Sequence, residues 1–372
     1  MKICIIYNFA QHYRTSIFRL LDKEFDCDFY FGESYLDIKK MDYKLLNGNV
    51  KELKTIKIGP VIYRKGTLSL LHKEYDTYII LGETRVLSVW LFAIWGRLFY
   101  PRKIIYFWTH GWYGKEHGLS GAISKFFNKL PNGGLFLYGY YAKNLLVRKG
   151  FPDDKLYVIH NSLAYDEQLE IRKRLKNQPI YTEHFGNVYP NLMFVGRLTH
   201  IKKLDQVLRA MSQLKNKDQL YNMTFIGGGE TQMELQKLAS ELGIEENVWF
   251  YGPCYDEKEL GGLIYNADLC VSPGNVGLTA MHTMVFGTPV LTHDDFPHQM
   301  PEFEAIHAGE TGAFFKIDNV ESLAEGISKW FAEKGDKREE VRCACMKEID
   351  ENWTPKFQSE VFKKVLCRQL NI

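Results

Sequence analysis

The sequence predicts an α/β protein built as two doubly wound, Rossmann-like units in tandem, facing a central cleft. Three observations carry that prediction. The 372 residues exceed the roughly 250–300 at which a single core stops growing. Short β-rich runs alternate with amphipathic helical stretches, the pattern of parallel sheets covered by helices. The series breaks once, at 177–190, a polar and aperiodic tract holding Pro179 and Pro190, and then begins again.

In the first half, β-branched and aromatic residues place strands at 2–7, 27–31, 77–81, 103–108, 134–137 and 156–159. Helices are expected between them at 14–21, 84–99, 119–130 and 140–149, the last closed by the C-cap signal Lys149-Gly150. The stretch from 32 to 76 supports only short strands. In the second half the strands are 192–195, 223–226, 248–251, 269–272, 289–292 and 313–316. The helices there are 204–215, 231–242, 257–265, 278–286 and 320–333. The expected domains are therefore 1–175 and 176–350, with 351–372 forming a C-terminal helix that returns to the first domain. Ligands of doubly wound sheets sit at the carboxyl ends of the strands, so the cleft between the units is the expected site.

Composition removes several classes. With 45% hydrophobic and 25% charged residues, the chain is neither disordered nor fibrous. The seven cysteines are odd in number and scattered, and the one close pair, Cys343-x-Cys345, has no partner pair nearby. That disfavours a disulfide scaffold or a zinc site and fits a reducing compartment. The first residues read as a buried strand rather than a signal peptide, and the longest apolar run, 86–95, is about half of the roughly 20 residues that span a bilayer. A cytoplasmic protein is expected.

The formal net charge of +2 hides an asymmetry: residues 1–175 carry +10 and residues 176–372 carry −8. A basic half points to an anionic partner on that side: a phosphorylated acceptor, a membrane surface or nucleic acid. No nucleic-acid motif is present, which argues against the last. The apolar helices 84–99 and 119–130, with Arg102, Lys103, Lys125 and Lys129 near them, suit a peripheral contact with an anionic inner membrane face.

Four ordered motifs occupy the second half. They are Phe194-Val-Gly196-Arg197-Leu with Lys202 following, Phe225-Ile-Gly-Gly228-Gly229-Glu, Pro273-Gly274-Asn275-Val-Gly277-Leu278-Thr279 running on through His282 to Gly287-Thr-Pro-Val, and Gly309-Glu-Thr-Gly312. Their order and spacing over 192–333 resemble the donor-binding half of family-4 retaining glycosyltransferases of the GT-B fold. The first half resembles that family in layout and a few positions. The resemblance implies a hexosyltransferase-type enzyme that moves a sugar from a UDP- or GDP-linked donor to a glycan or lipid-linked acceptor, such as a lipopolysaccharide or capsule glycan.

The residue chemistry agrees. A departing diphosphate gathers negative charge, and Arg197 with its planar fork and Lys202 as a point charge suit its neutralisation without a metal. Gly277, Leu278 and Thr279 open a helix whose free N–H groups suit phosphate, and Gly196, Gly228 and Gly229 end strands in the same style. No carboxylate pair at a strand end is available for a metal; Asp294-Asp295, beside His293 and His298, reads as loop polarity, so no cofactor is expected. His110 follows the strand 103–108, and the resemblance implies that it contacts the donor sugar near the reacting carbon. His12, Tyr13 and Arg14, in the loop after the first strand, are the candidate acceptor contacts.

One departure stands out. The family usually carries glutamates at two positions that align here with Gly274 and His282. The second normally accepts hydrogen bonds from the ribose hydroxyls; a neutral His282 keeps one acceptor nitrogen for that task, and Asn275 is the nearest polar replacement for the first. The alternatives are a subfamily with a rewired site and a catalytically inactive paralogue that binds a glycan or partners a transferase. A GT-B epimerase or phosphorylase is a further rival, the latter without a recognisable lysine motif for pyridoxal.

Overall fold

The computed structural model describes residues 1–33 and 39–368. Residues 34–38, in the weakly patterned stretch, and 369–372, at the end of the expected C-terminal helix, lie outside them. The chain divides into two units, Met1–Ala164 with Thr354–Ile372, and Tyr165–Trp353.

The first unit runs β1 (Lys2–Tyr7), α1 (Thr15–Glu24), β2 (Asp26–Gly32), β3 (Val50–Leu53), an antiparallel ribbon of β4 (Thr55–Ile58) and β5 (Val61–Arg64), β6 (Thr77–Leu81), α2 (Leu87–Phe99), β7 (Ile104–Thr109), α3 (Gly118–Asn128), β8 (Gly134–Leu137), α4 (Tyr140–Arg148) and β9 (Leu156–Val158). Its seven-stranded sheet has the order β3-β2-β1-β6-β7-β8-β9, all parallel. Alternation along β1 divides the core in two. Ile3, Ile5 and Tyr7 join the cluster holding Phe18 and Leu21 of α1, while Cys4 and Ile6 join that of Phe92, Phe127 and Leu146 from α2, α3 and α4.

The helix α2 is apolar nearly all round, with Arg97 its one charged residue. Val89, Phe92, Ala93 and Gly96 face the sheet, and Trp95, Leu98 and Phe99 face outward. The apolar residues of α3 and the turn after it divide: Phe127 and Leu130 are buried, whereas Leu119, Ile123 and Phe126 are exposed. Among the described residues no helix is long and apolar enough to cross a membrane.

The second unit contains α5 (Tyr165–Arg172), α6 (Ile180–Phe185), β10 (Asn191–Val195), α7 (Asp205–Lys215), β11 (Asn222–Ile226), α8 (Gln232–Glu241), β12 (Val248–Gly252), α9 (Glu257–Asn266), β13 (Leu269–Ser272), α10 (Leu278–Met284), β14 (Val290–His293), β15 (Gly312–Phe315), α11 (Val320–Lys334) and α12 (Arg338–Asn352). The parallel sheet has the order β12-β11-β10-β13-β14-β15, so its direction of growth reverses between β10 and β13.

Three expectations need correction. Residues 165–175, assigned to the first domain, fall in the second unit, because Arg172 makes a bidentate pair with Asp350 and Gln168 bonds Glu257 of α9. The expected linker 177–190 contains α6, anchored by buried Tyr181, whose hydroxyl donates to the Leu263 carbonyl at 2.8 Å. The helix expected over 278–286 is α10, seven residues long, since Phe286 and Gly287 turn the chain into β14. After α12 the helix α13 (Pro355–Arg368) leaves the second unit and packs in the first. Phe362, Val365 and Leu366 lie in the core beside α1, with the Phe362 ring 5.2 Å from Trp108 and 4.3 Å from Phe136.

Candidate functional site

The motif residues of the second unit converge where its sheet changes direction. After β10, Gly196 adopts φ +143° and donates its N–H to the Ile226 carbonyl at 3.0 Å. Two strand-end loops touch through bare backbone here. A Cβ on Gly227 would stand 1.9 Å from the Gly196 oxygen, and one on Gly229 2.2 Å from the Leu198 oxygen. The Leu198 N–H donates to Gly228 and the Thr231 N–H to Leu198. The glycine run therefore has a packing cause, the close approach of two backbones. Next to it Arg197 is exposed, and its side chain has no hydrogen bond or ion pair among the described residues.

Lys202 sits on the far side of the same loop, half-buried. Its ammonium donates to the Asn275 backbone oxygen at 2.6 Å and to Asn275 Oδ1 at 2.9 Å. Burial pulls its pKa below the usual lysine value, and the Glu302 carboxylate opposes that shift. The Gly274 N–H also donates to the Lys202 carbonyl at 3.0 Å. A Cβ on Gly274 would lie 2.1 Å from the Ile201 oxygen and 2.7 Å from Lys202 Cα. No carboxylate can occupy position 274 without parting these loops. The absent glutamate thus has a steric cause.

Gly277 has φ +54° and ψ −149°, a conformation essentially reserved for glycine, and leads into Leu278 and α10. The hydroxyl of Thr279 donates to the Val195 carbonyl at 3.1 Å, tying α10 to the end of β10. Gln299, which the sequence did not single out, clamps the loop from below. Its Oε1 accepts from the Val276 N–H, and its Nε2 donates to Thr292 and to the His293 carbonyl.

His282 has a partner that sequence reading missed. Its Nε2 donates to Glu257 Oε1 at 2.9 Å, and Gln168 Nε2 donates to the same oxygen at 2.8 Å. No spacing rule could have flagged a carboxylate 25 residues away on another helix.

In the first unit, His110 follows β7 with its ring against Tyr138 and Tyr113, centroids 4.7 and 5.4 Å away. Burial pushes its pKa down to about 4, and the nearby Arg14 charge adds to that. The ring is therefore neutral near pH 7, with a buried Nδ1 that has no hydrogen-bond partner. Arg14 departs from expectation. It is 5% exposed, precedes α1 instead of opening it, and stacks among Tyr7, Tyr13, Trp108 and Tyr138, donating to the Tyr138 hydroxyl. The aromatic box explains the burial, since ring faces attract a guanidinium. Tyr13 is half-buried beside it, and His12 is exposed with its Nδ1 3.2 Å from the Lys39 carbonyl.

Among the described residues no group of three or more His, Cys, Asp or Glu side chains could hold a metal. Asp294 accepts from the Ile317 N–H and Asp295 from His298, so both acids serve the local loop.

Comparison with known proteins fits this geometry. Residues 181–344 match the family Glycosyl transferases group 1. An uncharacterized glycosyltransferase of Methanocaldococcus jannaschii is 26% identical over 196 residues, 50% of this chain and 47% of that protein. D-inositol 3-phosphate glycosyltransferase 1 of Catenulispora acidiphila is 38% identical over 148 residues, 37% and 34% of the two chains. These matches span less than half the length of either relative. Among solved structures, the lipopolysaccharide outer core galactosyltransferase WaaB superposes with a TM-score of 0.72 at 15% identity, covering 99% of this chain and 100% of that one. Anabaena HepE in complex with UDP gives the same values. The fold is GT-B, two Rossmann-like α/β halves.

Proposed function

From the group 1 glycosyl transferase match over 181–344 and a GT-B fold, we propose that this chain is a retaining glycosyltransferase using a nucleotide diphosphate sugar without a metal. One observation carries the reading: Arg197 and Lys202 lie on one loop at the point where the second sheet reverses, interlocked with the Gly274–Gly277 turn. Two cations preorganised at the leaving diphosphate lower the barrier to its departure, and the phosphate so held can draw the acceptor proton. Retention through front-face attack needs those charges more than a carboxylate nucleophile. The UDP and UDP-glucose complexes of the HepE neighbour support a nucleotide sugar as donor.

The acceptor on this reading is a glycan or lipid-linked glycan received by the first unit. Exposed Trp95, Leu98, Phe99, Leu119 and Phe126, with Arg102 and Lys129 exposed nearby, support a peripheral contact with an anionic membrane. Lys103 belongs less to that surface than its sequence position suggests, for its ammonium donates to the Lys73 carbonyl and the Tyr78 hydroxyl.

The test is turnover with a panel of UDP- and GDP-sugars, followed by Arg197→Ala and Lys202→Ala on the donor that reacts. Each variant should lose about two to three orders of magnitude in kcat, the scale of one charge-stabilising donor. Binding without hydrolysis or transfer across the panel would select the inactive paralogue. Variants within about threefold of the parent would remove the diphosphate role.

A further inference from the structure

The β4–β5 ribbon turns its apolar face to solvent. We propose that this face docks on an anionic lipid bilayer and so holds the carboxyl end of the first sheet at the membrane surface, where a lipid-linked acceptor is presented; this deepens the membrane reading of the first unit and rests on it.

The register divides the ribbon into two faces, because residues directly opposite in an antiparallel pair point to the same side. Thr55 stands opposite Arg64 and Lys57 opposite Ile62, while Ile56 stands opposite Tyr63 and Ile58 opposite Val61. The first set meets the body of the unit. Arg64 is buried and pairs with Glu83 at 3.2 Å, and Ile62 packs on the core cluster that holds Val89 and Phe92. The second set carries no charge, and Ile58, Val61 and Ile56 are 73%, 41% and 38% exposed. A half-covered antiparallel pair ordinarily keeps its apolar residues inside and its polar ones out. Here the outer face is the apolar one, on a two-stranded element that is marginal in water by itself.

The ribbon is fastened at one place. The Ile62 N–H donates to the Arg85 carbonyl at 2.9 Å, and Ile62 forms a parallel bridge with Val86. Both partners lie between β6 and α2, just past the carboxyl end of β6. That is the end at which doubly wound sheets bind their ligands. The apolar surface continues from there along α2, where exposed Leu87, Trp95 and Leu98 recur at helical spacing. Stacking of Trp90 on Phe126, centroids 6.1 Å apart, joins α2 to the exposed apolar residues of α3.

Charge selects the occupant. Residues 53–73 hold five basic residues and no acid, and residues 84–152 hold ten basic residues and one acid, Glu116. That carboxylate is engaged locally by the Tyr113 and Gly114 N–H groups. Apolar residues amid unopposed basic ones complement anionic headgroups above acyl chains. A second copy of the chain suits the same face poorly, since a two-fold interface would set basic patch against basic patch.

Sedimentation of the full chain with vesicles tests this, one set of phosphatidylcholine alone and one of phosphatidylcholine with phosphatidylglycerol. The parent should bind the anionic set and leave it as salt is added. The double variant Ile58→Ser, Val61→Ser should bind about tenfold more weakly, the order expected from losing two partly buried aliphatic side chains, with its melting temperature unchanged. Val188→Ser, at an exposed apolar position of the second unit, should bind as the parent does. Ile58→Trp should add emission that brominated phosphatidylcholine quenches, because the new indole would reach the acyl boundary. A double variant that binds as tightly as the parent, or an Ile58→Trp protein whose added emission the brominated lipid leaves untouched, overturns the role of the ribbon and leaves the contact by α2 and α3 standing. A parent indifferent to anionic vesicles overturns the membrane reading and the ribbon with it. A parent that dimerises in sedimentation equilibrium, and that the double variant makes monomeric, gives the face to a second copy and overturns the proposal.

Discussion

Adding a single methyl at Gly274 should cost the second unit about 2–4 kcal/mol. The new Cβ would stand 2.1 Å from the Ile201 oxygen, where an ordinary carbon–oxygen contact is about 3.3 Å. The loops must therefore part by about 1 Å. Parting them breaks the Gly274 N–H to Lys202 carbonyl bond, about 1 kcal/mol, and loosens the two charge-assisted bonds from Lys202 to Asn275, about 1.5–3 kcal/mol. Overpacking of a well-filled site falls in the same range. Gly274→Glu should be worse than Gly274→Ala and should not gain turnover, although it restores the residue that the resembling family carries. Gly262→Ala in α9 is the control, because a Cβ there meets nothing within 4 Å and a helical Gly→Ala change is neutral or stabilising. Thermal unfolding of the three variants beside the parent reads the effect as a drop in Tm of about 5–15 °C for Gly274→Ala. A Gly274→Ala protein within about 0.5 kcal/mol of the parent would show that the loops are not in close contact and would void the steric account of the missing carboxylate.

Three further outcomes are expected. Turnover should persist in excess EDTA; abolition by EDTA with rescue by Mn²⁺ would redirect attention to Asp294 and Asp295. Cosedimentation with anionic vesicles should weaken with added salt and with charge reversal at Arg102, Lys125 and Lys129, and Leu98→Ser with Phe99→Ser should reduce it further; indifference to lipid charge and to all these changes would count against a membrane surface. The first unit should lose stability in mild acid. Burial depresses His110 and His160 to about 4 in the folded state, below the unfolded value of about 6.5, so their full contribution is present above pH 6.5 and is lost as pH falls toward 4. Between pH 7.5 and 5 each histidine should cost about 2 kcal/mol, and a urea midpoint unmoved over that interval would refute the burial argument.

What the sequence made legible was local. Strand runs such as 77–81 and 134–137 appear in the structure at those bounds, because a strand buried on both faces needs an unbroken apolar run. The motif loops were legible for the same reason: glycines and cations at strand ends are punctuation within a few residues. What stayed hidden depends on distant partners. The burial of Arg14 is decided by Trp108 and Tyr138, more than ninety residues downstream, and a cation in a loop otherwise reads as surface. Glu257 looks like an ordinary acidic first turn until α10 brings His282 against it. The helix α6 was masked by Pro179, which reads as a loop residue but here occupies the cap position before the first helical turn.

The return of α13 to the first sheet also orders the life of the nascent chain. Domains fold as units while synthesis proceeds, yet the first unit is synthesised with a gap in its wall. The Gln358 side chain that donates to the His160 carbonyl is made 198 residues after it, and Phe362 follows a few residues later. The second unit is complete once Trp353 has emerged, while Trp108 and Phe136 still lack their covering helix. An uncovered aromatic face on a waiting sheet is a natural substrate for a chaperone, and ribosomes stalled before residue 354 would release a folded second unit joined to an unfinished first one.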